Sequence, residues 1–268
     1  MPSSGKAHHH QTAAPQRACQ DWRRPPASLA LDAGAVHVWR IRLAAPAALL
    51  PGMEQLLSGE EQERAARMRA PGAGRRFVIS HGATRAILAR YLGYPPAQFR
   101  FQIQAGGKPQ LLWPAGAPAL SFSLSHSKDL ALCAVAQERD LGVDVEQIRP
   151  LADWPQIAAR YFSPDENEVL HALSGEAARA AFFQGWTGKE AYTKALGRGI
   201  SSQWAQFSVP LATDTEARLP AARPEGGAQD VFTVCALAPG TGYAAAIAAW
   251  GTDWGLSCWD WSWPNGPG

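Results

Sequence analysis

The chain has 268 residues, enough for one large domain or two small ones around a buried core. Its 25 Lys and Arg against 23 Asp and Glu leave a formal charge of +2, which argues against a dedicated nucleic-acid binder. Hydrophobic residues at 46% and charged residues at 18% match a folded globular chain rather than a disordered one. The excess of positive charge lies in the first thirty residues, where Lys6, Arg17, Arg23 and Arg24 face only Asp21, so the remainder sums to −1. Cys19, Cys133, Cys235 and Cys258 form no C-x-x-C pair. Neither a zinc site nor a disulfide framework is expected, and a reducing compartment, the cytoplasm, is the expected location. No apolar run approaches the ~18 residues of a membrane span, and the N-terminus lacks the apolar stretch of a secretory signal.

Residues 1–33 are rich in Pro, Ala, Gln and His without periodicity and read as a mobile tail. Val36–Leu43 alternates as a half-buried strand does. A short Pro-capped helix follows Ala47, and Ser58 with Glu61 has capping-box spacing, so a second helix starts there. Arg75–Leu92 is a long amphipathic helix that Gly93 stops. Phe99–Gln104 is strand-like, Gly106–Pro109 a turn, and Ser121–Ser125 with Leu130–Ala136 a β-hairpin. Leu141–Glu146 is a further strand.

The second half runs in the same order. Phe182–Leu196 is a helix stopped by Gly197, Phe207–Val209 is strand-like, and Val231–Leu237 with Tyr243–Trp250 forms a hairpin. The Leu-Gly helix ends lie 104 residues apart and the Ala-Gln-Phe tripeptides at Ala97 and Ala205 lie 108 apart. The reading is an α+β fold of two similar subdomains related by pseudo-twofold symmetry, an internal duplication with the active site in the cleft between them. The segments are a tail over 1–33, a first half over 34–140, a second half over 141–250 and a Trp-rich tail over 251–268, which is expected to pack on the second half.

Charge is segregated within this frame. Seven arginines and no carboxylate occupy positions 64–90, a pattern suited to phosphate oxygens, although any single arginine also fits a solvated helix face. Asp144 and Glu146, at i and i+2 in Gly142-Val-Asp-Val-Glu146, fall on one face of a strand, with Val143 and Val145 on the other. Two such carboxylates repel, so the pair wants a cation or a shared proton. Oxygen ligands favour Mg²⁺, which takes one or two carboxylates plus substrate phosphates and water. Trp186, Glu190 and Lys194 align at i, i+4 and i+8, where Glu190 and Lys194 also fit an ordinary surface ion pair. His126 ends a strand between Ser125 and Ser127 and can serve as a phosphate contact, an acid or base, or a turn cap. No nucleophile elbow, phosphate loop or dinucleotide fingerprint is present.

Five motifs in this order, Gly107-Lys108-Pro109, Ser123-Leu-Ser125-His126-Ser127, Gly142–Glu146, Arg160-Tyr-Phe-Ser163-Pro-Asp-Glu166 and Trp186-Thr-Gly-Lys189-Glu190-Ala-Tyr-Thr-Lys194, resemble those of the 4′-phosphopantetheinyl transferases of the surfactin-synthetase-activating (Sfp) type. The resemblance covers residues 36–250 and implies two α+β halves in a monomer. It implies transfer of phosphopantetheine from coenzyme A to a serine of an apo acyl or peptidyl carrier protein, releasing adenosine 3′,5′-bisphosphate. It also implies roles: Asp144, Glu146 and Glu190 as the Mg²⁺ carboxylates, Glu190 or a water it holds as the base, and Lys194 at the pyrophosphate. Ser125 and His126 would be coenzyme A contacts, as would Arg64, Lys108 and either Arg76 or its neighbour Arg75. The family's usual cation near position 61 is here Glu61. The alternatives are a non-catalytic binder of coenzyme A or carrier protein, and a Mg²⁺-dependent nucleotide hydrolase.

Overall fold

The first strand is apolar on both faces, and two cores form around it. In β1 (Ala35–Arg42), Val36 and Val38 join one cluster of buried side chains while Trp39 and Ile41 join another. The strand is therefore buried on both sides rather than half-buried. The computed structural model describes residues 21–104, 107–112, 119–197, 202–213, 215–220 and 231–263. Of the tail expected over residues 1–33, residues 1–20 lie outside them, as does Gly106 of the expected turn, but residues 21–33 are not a loose tail: Arg23 bridges to Trp259, Trp22 donates to the Ala238 carbonyl and Leu31 is buried.

After β1 the chain forms α1 (Leu50–Glu54), α2 (Gly59–Ala66) and α3 (Ala73–Leu92), then β2 (Arg100–Ile103), β3 (Pro109–Leu112), β4 (Leu120–Ser127) and β5 (Leu130–Gln137). It continues through β6 (Leu141–Gln147), α4 (Trp154–Tyr161), α5 (Pro164–Ala172), α6 (Gly175–Ala195), β7 (Glu216–Pro220), β8 (Val231–Leu237), β9 (Tyr243–Trp250) and β10 (Gly255–Asp260). Ser58 and Ser163 each start a helix with both arms of a capping box in place. α3 ends at Gly93, whose φ of 69° is open to glycine at little cost.

Two four-stranded sheets run in the orders β10-β1-β5-β4 and β6-β9-β8-β7, and β2-β3 forms a separate ribbon. In each large sheet a leading strand, β1 or β6, pairs antiparallel with the last arm of a hairpin, β5 or β9. Val36, Val38, Leu132 and Ala134 of the first sheet share one core with Val143, Val145, Ile247 and Ala249 of the second. The outer faces are covered by the two long helices, Ile79, Ala83 and Ile87 of α3 on the first sheet and Ala191, Tyr192 and Ala195 of α6 on the second. The arrangement is α+β, with β4 and β6 brought alongside each other where the sheets meet.

Several expectations change. The Trp-rich C-terminal segment meets the second half only in part: Gly251 bridges to Phe232 and Trp254 enters the core shared with Val143 and Ala249, but β10 pairs in parallel with β1, and Trp259, Trp261 and Trp263, alternate residues on one face, pack with the core beneath α3. Arg40 anchors it with a bidentate pair to Asp260 at 2.6 and 2.7 Å. Ala205-Gln206-Phe207 does not start a strand; it closes a 3-10 turn over Ser202–Gln206, as Ala97 and Gln98 lie in the turn Pro96–Gln98 before β2. α6 starts at Gly175, a full two turns before Phe182. Cys133 and Cys235 are buried thiols outside any disulfide, whereas Cys258 is disulfide-bonded, against the expectation of no disulfide. Among the described residues no helix is long and apolar enough to cross a membrane.

Candidate active site

β4 has two faces with different chemistry because side chains alternate along a strand. Phe122, Leu124 and His126 line a cavity of about 900 Å³. Ser123, Ser125 and Ser127 point the other way and bind β6. Ser123 Oγ accepts from the Val143 amide at 3.1 Å, Ser125 Oγ donates to Asp144 Oδ1 at 2.7 Å, and Ser127 Oγ donates to Glu146 Oε2 at 2.7 Å while accepting from the Gln147 amide at 3.1 Å. Three hydroxyls thus hold the two sheets in register at this seam, and they hold both carboxylates of the Asp-Val-Glu strand on one face, as the period of two requires.

α6 reaches the same seam because β6 carries Gly142. A Cβ there would lie 2.2 Å from the Ala191 carbonyl and 2.5 Å from the Ala195 amide, so only glycine lets the helix backbone close on the strand. At that distance Lys194 Nζ donates to Asp144 Oδ1 at 2.7 Å and to the Val143 carbonyl at 3.3 Å. The Glu190–Lys194 surface pair allowed by the spacing is not what forms. Lys189, the neighbour of Glu190, turns into the protein, fully buried, and pairs with Glu166 Oε2 at 2.8 Å and the carbonyls of Trp204 and Phe207 at 2.8 and 2.7 Å. Its partner also caps α5 and accepts from the Val209 amide, so this pair ties α5, α6 and the following turn together. Trp186 packs with Phe182, Tyr161 and Trp204 as part of that core.

Burial and like charge decide the electrostatics. Glu190 is pushed up to about 7, chiefly by burial and then by the Asp144 carboxylate, against the pull of Lys194. Burial also raises Glu146, partly offset by its Ser127 hydrogen bond. His126 is held below its ordinary range by burial and then by Lys194 and Arg76. Asp144 Oδ1 has two donors, but Oδ2 is buried with no partner among the described residues. A buried, unpaired carboxylate oxygen is costly unless something else binds it. Among the described residues no three His, Cys, Asp or Glu side chains form a ready-made metal cluster.

The cavity is walled by α2, α3, the β2-β3 ribbon and β4, with Arg64, Phe77, His81, Phe101 and His126 among its lining. Arg64 lies 5.3 Å over the Phe77 ring. Arg76 is close enough to His126 to lower it, and its guanidinium donates to the Pro71 carbonyl at 3.2 Å, whereas the Arg75 guanidinium donates to the Ala45 carbonyl. Lys108 is placed elsewhere: its amine donates to the Leu141 carbonyl at 2.8 Å and lines a smaller notch with Asp140 and Leu196. Glu61 is occupied by the Ser58 cap and by Arg85, which is 2% exposed and 2.8 Å away. Ser123 and Ser127, which the sequence shows only as parts of a motif, bind β6 alongside Ser125, and the alternation Ser123-x-Ser125-x-Ser127 is the signal for it; His81, on no motif, joins the cavity lining.

A family model described as the 4′-phosphopantetheinyl transferase superfamily matches residues 140–248. The chain is 37% identical over 238 residues to the 4′-phosphopantetheinyl transferase HetI of a Nostoc species, spanning 89% of this chain and 97% of that one. It is 28% identical over 158 residues to the 4′-phosphopantetheinyl transferase Sfp of Bacillus subtilis, 59% of this chain and 68% of that one. With the 4′-phosphopantetheinyl transferase AcpT of Salmonella typhimurium it shares 39% identity over 127 residues, 47% and 62% of the two chains.

Proposed function

This chain is an enzyme of the 4′-phosphopantetheinyl transferase superfamily, of the Sfp type, and on that premise we propose that it moves the phosphopantetheine arm of coenzyme A onto a serine of an apo carrier protein. The observation that carries the assignment of the site is Asp144: Oδ1 is saturated by Ser125 and Lys194, Oδ2 is buried and bare, and Glu190 and Glu146 lie close enough to be shifted by its charge. The donor set is all oxygen and short of a full cage, which fits Mg²⁺, an ion that usually keeps waters and substrate phosphates among its ligands. Asp144 Oδ2, Glu146 and Glu190 would hold it, and once bound it would neutralise the pyrophosphate oxygens.

The remaining steps belong to the chain. The carrier hydroxyl must lose its proton as its oxygen bonds the β-phosphorus of coenzyme A, and the P–O bond to the departing adenosine bisphosphate breaks. Glu190, or a water it holds, takes the proton; a base with a pKa near 7 suits that task at neutral pH. Lys194 commits two of its three hydrogens to Asp144 and the Val143 carbonyl, leaving one for a pyrophosphate oxygen. Ser125 acts on the site through Asp144, while His126, Arg64 and Arg76 face the nucleotide side. Lys108 supports the site by tying the β3 turn to the first residue of β6. The recurring order of leading strand, long helix and hairpin supports an internal duplication with pseudo-twofold symmetry between 34–140 and 141–250, the active site lying at their seam.

Incubation of the protein with coenzyme A, Mg²⁺ and a panel of apo carrier proteins tests this reading. Addition of one phosphopantetheine to a carrier serine is the expected result. Coenzyme A binding without any transfer would make the chain a binder, and release of adenosine bisphosphate without carrier would make it a hydrolase.

A further inference from the structure

The large cavity offers fewer free cations than its arginines imply. Arg85 is engaged by Glu61 and by the carbonyls of Pro96 and Phe99, at 2.8 and 3.2 Å. Among the other lining residues this leaves Arg64 on α2, Arg100 on β2 and two imidazoles, His126 and His81. No motif in the sequence points to His81.

His81 follows Phe77 by one turn of α3, and its ring stacks on that phenyl with centroids 3.7 Å apart and planes 20° from parallel. Nδ1 lies 3.1 Å from the Phe77 carbonyl and 3.2 Å from Ser80 Oγ. A ring nitrogen set against a carbonyl oxygen carries the proton, so Nδ1 is the donor and Nε2 is the nitrogen left over. The stack and the Nδ1 bond fix the ring, and Nε2 has no partner among the described residues. Glu61 and Arg64 on α2 and His126 on β4 are the charged or titratable groups that act on it.

We propose that His81 is a second imidazole contact to the nucleotide, gripping the 3′-phosphate of coenzyme A through Nε2–H in the cavity that it lines together with His126. This rests on the transferase reading and names a specificity residue for it. In the free protein, burial holds His81 down to about 4, so the ring is neutral and Nε2 is an acceptor. A phosphate monoester beside Nε2 favours the protonated ring, because an opposite charge stabilises the charged form. Coenzyme A then binds with proton uptake and binds more tightly as pH falls, while a nucleotide without the 3′-phosphate gains nothing from the ring.

Calorimetric titration of the full-length protein with coenzyme A and with 3′-dephospho-coenzyme A, at pH 6.5 and 8, tests the assignment. In His81→Gln, coenzyme A should bind at least about fivefold more weakly at pH 6.5, as expected for loss of one charge-assisted hydrogen bond. Dephospho-coenzyme A should bind within about twofold of wild type. His81→Arg should restore coenzyme A affinity and flatten its pH dependence. Equal losses for the two ligands, or no loss for coenzyme A, overturn the proposal. Should the Gln variant not fold, a His81→Arg protein with a pH dependence as steep as wild type overturns it instead. A wild-type protein that binds neither ligand overturns the transferase reading itself, a different outcome from either of these.

Discussion

The Lys194 ammonium lies 2.7 Å from Asp144 Oδ1, across from α6 to β6, although Glu190 stands one helical turn away on its own helix. An i,i+4 pair on a helix surface is worth about 0.2–0.5 kcal/mol. The Asp144 carboxylate is buried, and a buried charge needs a partner far more than an exposed one does. The lysine therefore serves the strand, and Glu190, with no ion-pair partner among the described residues, keeps a raised pKa.

Asp144→Ala and Glu190→Gln should abolish transfer. For Glu190→Gln the loss of a general base alone predicts a rate lower by about 10²–10⁴. Circular dichroism should show an intact fold in both. Carrier modification followed by mass spectrometry reads the outcome, and near wild-type rates in either variant would reject the roles given to these carboxylates.

Gly142→Ala should cost both stability and activity. The added methyl meets backbone atoms of α6 at 2.2 and 2.5 Å, which no side-chain rotation relieves. Overpacking of this kind costs typically about 1–3 kcal/mol, occasionally more. Urea denaturation measures the first effect, and transfer rates at saturating coenzyme A the second, because the helix that moves carries Glu190 and Lys194.

Lys189→Ala should destabilise the fold by about 3–5 kcal/mol, the usual cost of leaving one half of a buried ion pair alone. Lys189→Met with Glu166→Gln should recover part of that loss, since no uncompensated charge remains. Denaturant midpoints of the single and double variants decide it; an additive result would show that the two side chains do not act as a pair.

Acid should destabilise the fold through His37. Its ring accepts a hydrogen bond from Tyr91, whose hydroxyl in turn accepts from Trp39, and burial lowers His37 to about 4. Between that value and the ordinary 6.5 the unfolded chain binds the proton and the folded chain does not. Stability is then full above pH 6.5 and is lost as pH falls through 4, by on the order of 3 kcal/mol at about 1.4 kcal/mol per pKa unit. His37→Gln should lessen the slope of stability against pH in that window, with His81 contributing to the slope that remains; an unchanged slope would contradict the assignment.

Local rules made part of this protein legible in one dimension. Strand alternation put Asp144 and Glu146 on one face and Val143 and Val145 on the other, because the side-chain period of a strand is two wherever the strand lies. The capping box at Ser58 and the glycine stop at Gly93 are likewise local chemistry. The Ser163-Pro-Asp-Glu166 capping box is local chemistry of the same kind.

Choices among partners distant in sequence were decided only by the tertiary structure. Which of Lys189 and Glu190 enters the core depends on the rotation of α6 about its axis, and that is set by what packs against it: Glu166 and the Trp204 turn on one side, Gly142 on the other. Trp259, Trp261 and Trp263 joined the first sheet because β1 had an open edge and an apolar face for them to complete, while Trp254 entered the core that the two sheets share. Lys108 found a strand carbonyl, Glu61 found Arg85, and His81 found the cavity by the same rule. A sequence states which side chains want a partner; which one each receives is settled when distant elements close on one another and exclude water from the seam.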